Sequence, residues 1–188
     1  MAIINLRGWL ASLVVSFICM LSISKSWGES FYEVSLSTGE RQLDIFRKAA
    51  PDDVDDAAYV GASISAYRKV NEMSAWGAVL EVMMPFGRDN EIGSGRIVGL
   101  RPVNYLLQWN SNFATELFMG AAQYDWIKHA TGYYLGANAR IHFGDKQRYG
   151  LGFEYKYFQD LAHDGGPGGD QIIDGPALGL QLHYRFGQ

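Results

Sequence analysis

His129 and Thr131 stand two residues apart in the run H-A-T-G. A hydroxyl nucleophile needs an adjacent base and a third group to orient that base. Gly132 follows the pair, and no acidic residue is clearly placed as its third member, so His129 and Thr131 are weak catalytic candidates. The remaining histidines are His142, His163 and His183, and no close His/Cys/Asp spacing among them supports a zinc site. A structural role is favoured for them, and no metal or other cofactor is expected. Glu81, Glu116, Arg140, His142, Glu154, Lys156, His183 and Arg185 form a larger set, each at an alternate position of an otherwise apolar or glycine-rich run. Gathered on one surface, they would either line a narrow ion path or neutralise one another as a salt-bridged plug. The plug is the favoured reading. Asp52, Asp53, Asp55 and Asp56 make an acidic stretch that would suit divalent cations, but it lacks the glycine and terminal glutamate of an EF-hand loop. The glycine-rich run from His163 to Asp170 has no Lys-Ser/Thr pair and no helix after it, so it does not read as a phosphate cradle.

The elements that must position these residues are strands. Apolar and polar residues alternate with period two, and helical periodicity is almost absent. Eight strands are expected: Ser30 to Ser37, Ala58 to Lys69, Ser74 to Phe86, Gly95 to Trp109, Asn112 to Tyr124, Thr131 to Phe143, Arg148 to Phe158 and Gly175 to Phe186. Pro102 cannot donate to a ladder, so the fourth strand is expected to bulge there. Thr38 to Ala57 and Gln159 to Asp174 are expected as long connections, the first with a short helix over Leu43 to Ala50. Val70 to Met73, Asn110–Ser111 and Gly144 to Gln147 are expected as short turns.

Which face is which decides the surroundings. One face carries the charged set above, together with Asn138, Gln181 and many glycines. Ten polar positions in one dry core are untenable, because each unpaired buried charge costs several kcal/mol against a total stability of about 5–15 kcal/mol. The opposite face is continuous in Leu, Val, Ala, Ile, Met and aromatics, which is the exterior a lipid bilayer requires. The chain is therefore read as all-β, an eight-stranded antiparallel up-and-down transmembrane β-barrel. Long and short connections alternating at opposite ends, and strands of about 9–13 residues, agree with that. A soluble carrier barrel is disfavoured by the charged inward face.

Composition narrows the class further. Aromatic residues make up 14% of the 188 residues, which argues against disorder, and the net charge of −4 argues against a nucleic-acid partner. Residues 1–28 read as a signal peptide: Arg7, then an apolar stretch from Trp9 to Ile23, then Ser26-Trp27-Gly28 before a cleavage site. Residues 29–188 are then the barrel. Cys19, the one cysteine, falls in the discarded segment, and a disulfide framework is excluded.

The alternation, the connection lengths and the terminal strand L-G-L-Q-L-H-Y-R-F, ending on Phe186, resemble the small eight-stranded outer-membrane barrels of Gram-negative bacteria, such as the OmpA membrane domain and OmpX. The resemblance implies an outer-membrane protein with both termini periplasmic, an aromatic terminal residue read by the barrel-assembly machinery, and contact with outer-membrane lipid and lipopolysaccharide. It implies a monomer with a structural or surface-interaction role and mobile external loops. The H-x-T of His129 and Thr131 loosely resembles the H-x-S of lipid A deacylases, so a lipid A-modifying enzyme is one alternative. A narrow gated channel is the other.

Overall fold

The computed structural model describes residues 29–47, 51, 53–86, 95–125, 129–166 and 169–187. The expected signal peptide, 1–28, lies outside them. Among the described residues the chain forms β1 (Ser30–Arg47), β2 (Asp53–Lys69), β3 (Ser74–Pro85), β4 (Arg96–Gln108), β5 (Phe113–Asp125), β6 (His129–Phe143), β7 (Tyr149–Gly166) and β8 (Gly169–Phe186). Each strand pairs with the next, and β8 pairs with β1, so the sheet closes on itself. Every pairing is antiparallel. Closure leaves no edge strand with free backbone groups, which a membrane requires.

Alternation fixes which side chains enter the barrel. In β6, Tyr134, Gly136, Asn138, Arg140 and His142 are buried while Tyr133, Leu135, Ala137, Ala139 and Ile141 are exposed. In β4 the parity changes midway. Ile97, Gly99 and Arg101 point inward, and after the bulge so do Asn104 and Leu106. The register shifts against both neighbours at this level, between Leu100 and Val103 on the β5 side and between Gly77 and Val79 of β3. Pro102 sits at the shift, exposed, where no ladder bond is asked of it.

Most of the described residues in two expected connections are instead strand. β1 runs on to Arg47, and the expected helix over Leu43 to Ala50 is extended chain as far as Arg47; Lys48 to Ala50 lie outside the described residues. The cause is tertiary. Leu43 and Ile45 alternate with Gln42 and Asp44, and this stretch pairs with β2 on one side and β8 on the other. The acidic stretch from Asp53 to Asp56 is the start of β2. In the glycine-rich run from His163, residues 163–166 end β7 and residues 169–170 begin β8; 167–168 lie outside the described residues. β1, β7 and β8 reach 18 residues and β2 reaches 17, against 12 in β3 and 13 in β4 and β5. The barrel wall therefore stands tall on the β7–β8–β1–β2 side and short opposite it.

The opposite end is trimmed by tight turns. In the β4–β5 turn, Asn110 Oδ1 accepts bonds from the backbone N–H groups of Asn112 and Phe113, each at 2.8 Å. The β6–β7 turn, Asp145–Gln147, carries Lys146 and Gln147 in left-handed backbone conformation.

Candidate functional site: the charged lumen

Inward positions from different strands meet as two clusters. The first joins β3, β4, β6 and β7. Arg101 Nη2 donates to Glu154 Oε2 at 2.7 Å, and its guanidinium also engages the Glu81 carboxylate. Lys156 Nζ lies 2.7 Å from Glu81 Oε2 and 2.7 Å from Glu154 Oε1. The Tyr134 hydroxyl donates to Glu81 Oε1 at 2.5 Å. Arg101 also lies over the Phe118 ring, 3.8 Å from its centroid. A Cβ at Gly99 would fall 2.6 Å from the Tyr134 hydroxyl and 2.9 Å from Glu81 Oε1, so only glycine leaves this cluster its space.

The second cluster joins β1, β2, β5, β6 and β8, nearer the tight turns. Arg140 Nη1 donates to Glu33 Oε2 at 2.6 Å, and its Nη2 engages the Glu116 carboxylate. Arg185 Nε donates to Glu33 Oε1 at 2.8 Å. The Tyr67 hydroxyl donates to Glu116 Oε1 at 2.5 Å. Arg185 Nη2 lies 3.3 Å from His142 Nε2. Each cluster holds two carboxylates and two cations, so each is neutral, and between them they tie all eight strands across the lumen. Charge-assisted bonds of this kind are the stronger ones, and closing every charge with partners is the condition for tolerating their burial.

Every member of the sequence-derived set is buried here. Glu81, Glu116, Arg140, Glu154, Lys156 and Arg185 carry the ion pairs. His142 and His183 come together across the glycines of β7: a Cβ at Gly150 would meet His142 Cδ2 at 3.2 Å and His183 Cβ at 3.5 Å. Among the described residues no three His, Cys, Asp or Glu side chains are grouped to hold a metal ion. Thr131 is exposed on the outer surface, and the side chain of His129 lies outside the described residues.

Arg101 and the two tyrosines were missed by sequence reasoning, as was the part of Glu33 in the network. The alternation of Tyr32-Glu33-Val34 already placed Glu33 on the polar face. Arg101 was hidden because a single alternation through β4 breaks at Pro102. Tyr134 shares the parity of Gly136 and Asn138, and Tyr67 that of Ser65, so alternation turns both inward; it does not tell which carboxylate each hydroxyl meets.

Apolar layers close the lumen above and below. Toward the tall wall, Leu43, Ile45, Met83, Ile97, Phe158, Leu161 and Ile173 are buried together with Tyr59 and Tyr124. Toward the turns, Phe31, Tyr67, Ala75, Leu106 and Ala114 form a second cluster, with Phe31 and Tyr67 stacked at 5.1 Å. Outside, the middle of the wall exposes Leu36, Ile64, Leu80, Leu117, Leu135, Leu151, Phe153 and Leu180. A girdle of rings encircles its turn end. Tyr32 stacks on Phe186 at 5.7 Å, Tyr149 and Tyr184 lie 5.4 Å apart, Phe143 and Tyr149 6.1 Å, and Trp76 and Tyr105 5.0 Å. An apolar band edged by aromatic rings around a charged interior is a wall built for lipid.

No family model matches the sequence, and no curated protein matches it. Solved structures do. Neisserial surface protein A is similar at a TM-score of 0.51 and 13% identity, over 83% of this chain and 97% of that one. The outer-membrane protein OprG of Pseudomonas aeruginosa gives 0.51 and 12%, over 86% and 98%. This is the fold of the small outer-membrane barrels. The N-terminal β-barrel domain of OprF of Pseudomonas aeruginosa agrees, at 0.50 and 12% identity over 85% of this chain and 99% of that one. At these identities the likeness concerns the fold.

Proposed function

We propose that the chain is a non-conducting outer-membrane barrel with a structural or surface-interaction role, its tall β7–β8–β1–β2 wall presented outside the cell and its turns and termini in the periplasm. The observation that carries this is the pair of neutral ion clusters spanning the lumen, each bordered by an apolar layer. A permeating ion would have to replace buried partners held at 2.6–2.8 Å. Eight strands enclose about enough room for side chains alone, which favours the plug over a narrow gated channel.

The outer surface of the tall wall supports a presentation role. A tilted crossing needs about 9–11 residues from the aromatic girdle. From Tyr32, β1 continues past that length to Asp44 and Arg47. Glu40, Asp44, Asp56 and Asp160 are exposed at and above this level. Lipid and lipopolysaccharide are the proposed surroundings of the exterior, a monomer the proposed state, and the barrel-assembly machinery the proposed route of insertion.

The test is conductance in planar lipid bilayers. Purified, folded protein is expected to give no channel events. A steady single-channel conductance from the unaltered protein overturns the plug.

A further inference from the structure

The end of the barrel opposite the tall wall holds a cavity of about 300 Å³ that the plug does not fill. That is the lower end of the range for small-molecule sites. Phe31 and Leu106, both buried, floor it. Glu72 from the β2–β3 turn and Lys146 from the β6–β7 turn line its mouth. These two connections lie on opposite sides of the strand order, so the two charges stand across the opening from one another.

Of the four charged residues that line the cavity, two are already paired. Lys69 lies 2.6 Å from Glu29, and Arg185, which also lines the cavity, is held by Glu33 at 2.8 Å. Among the described residues Glu72 and Lys146 make no ion pair, with each other or with anything else. Lys146 and its neighbour Gln147, which also lines the cavity, have φ of 58° and 53°. Non-glycine residues adopt that conformation uncommonly. Here it falls on two successive residues, both lining the cavity. Asn71 and Gln108 bring the side-chain amides in the lining to three, with Gln108 Nε2 donating to the Asn110 carbonyl at 2.6 Å.

We infer that this vestibule binds a small zwitterion, an α-amino acid or short peptide, with the ligand carboxylate at Lys146, its ammonium group at Glu72, and its small apolar side chain on the Phe31–Leu106 floor. A lone anion would leave Glu72 unmatched, and a lone cation would leave Lys146 unmatched. Amide side chains suit a ligand with a peptide group.

The experiment is a titration of the folded, detergent-solubilised barrel followed by NMR, with alanine, N-acetylalanine, alaninamide and dialanine as probes. Alanine or dialanine is expected to shift vestibule resonances saturably. N-acetylalanine and alaninamide, each lacking one charge, are expected to bind about tenfold more weakly, as for loss of one charge-assisted contact. Tighter binding of dialanine than of alanine assigns the site to peptides, and the reverse assigns it to free amino acids. Glu72→Lys and Lys146→Glu should each lose the response, and the double reversal should restore it, because a zwitterion can turn round. Both positions are exposed turn residues, so heat-modifiable gel migration should be unchanged and will confirm folding. Equal binding of the blocked probes, no saturable shift with any probe, or single reversals without effect overturns the inference. None of these outcomes depends on whether the lumen conducts.

Discussion

At the level of Leu180 the wall turns hydrocarbon outward and charge inward; at the level of Ile45 it turns Asp44 outward beside Phe46, Val54 and Ile172, and hydrocarbon inward. The same strands do both. In β1, Glu33 is buried and Leu36 exposed near the turns, whereas further up Ile45 is buried and Asp44 exposed. In β8, Arg185 and His183 are buried low down and Ile173 high up. Along β1 and β8 the period of two is unbroken, so in these strands the inversion is made by residue choice and not by a slip of register. In the proposed placement lipid surrounds the lower zone and water the upper one, where Asp44, Asp56 and Asp160 are exposed. The upper zone is a small soluble core resting on a membrane barrel. Among the described residues it still admits a buried cation, Arg41, whose Nη1 donates to the Gly95 carbonyl at 2.6 Å beside the Tyr124 ring.

The contrast can be broken in order of expected effect. Arg140→Met strands Glu33 and Glu116 without their shared cation. Breaking a buried pair from one side costs about 3–5 kcal/mol, so the midpoint of denaturant unfolding, followed by gel mobility, should fall most for this variant. Ile45→Ala removes a fully buried side chain from the upper core. A loss of about 2–5 kcal/mol is expected, and a loss under about 0.5 kcal/mol would show that the upper interior is not packed as a core.

The outward face gives the sharpest pair. Leu180, half exposed and midway along β8, faces hydrocarbon. Leu180→Arg should cost about 2–4 kcal/mol in bilayer folding. Asp44→Arg makes a comparable change on the same face above the membrane and should stay within about 0.5 kcal/mol. Equal costs for the two would remove the inversion.

The smallest effect concerns the turn end. Lys69 holds the Glu29 carboxyl below the usual carboxylate range, first by its hydrogen bond and then by its charge. A depressed folded value means that this contact helps above the unfolded carboxylate value and is lost as pH falls through the folded one. Lys69→Ala should return Glu29 to the ordinary range in an NMR titration, with no measurable change in global stability because both groups are solvated.

Much of this was legible without coordinates. The eight strands from Ser30 to Phe186, the bulge at Pro102 and the face carrying Glu81, Arg140, Glu154 and Arg185 follow from local alternation. The extra height of β1, β2, β7 and β8 did not. Leu43-Asp44-Ile45-Phe46 is as compatible with a short helix as with a strand, and only pairing to Asp53–Asp56 and to Ile172–Asp174 selects the strand. Arg101 was lost because a bulge resets parity, so a side chain's direction beyond it depends on where the extra residue is accommodated.

By itself the sequence determined the period of two, and with it that one surface would be charged and the other apolar, because side chains on a strand must alternate. It also determined, through Pro102, that one strand could not keep its ladder intact. Which charge meets which was decided only by closure. Glu33 of β1 finds Arg140 of β6 and Arg185 of β8 because the barrel returns β8 to β1 and is narrow enough for side chains to cross it. Coulombic partners far apart in the chain carry no local signal, and only the register of the closed sheet puts them within reach.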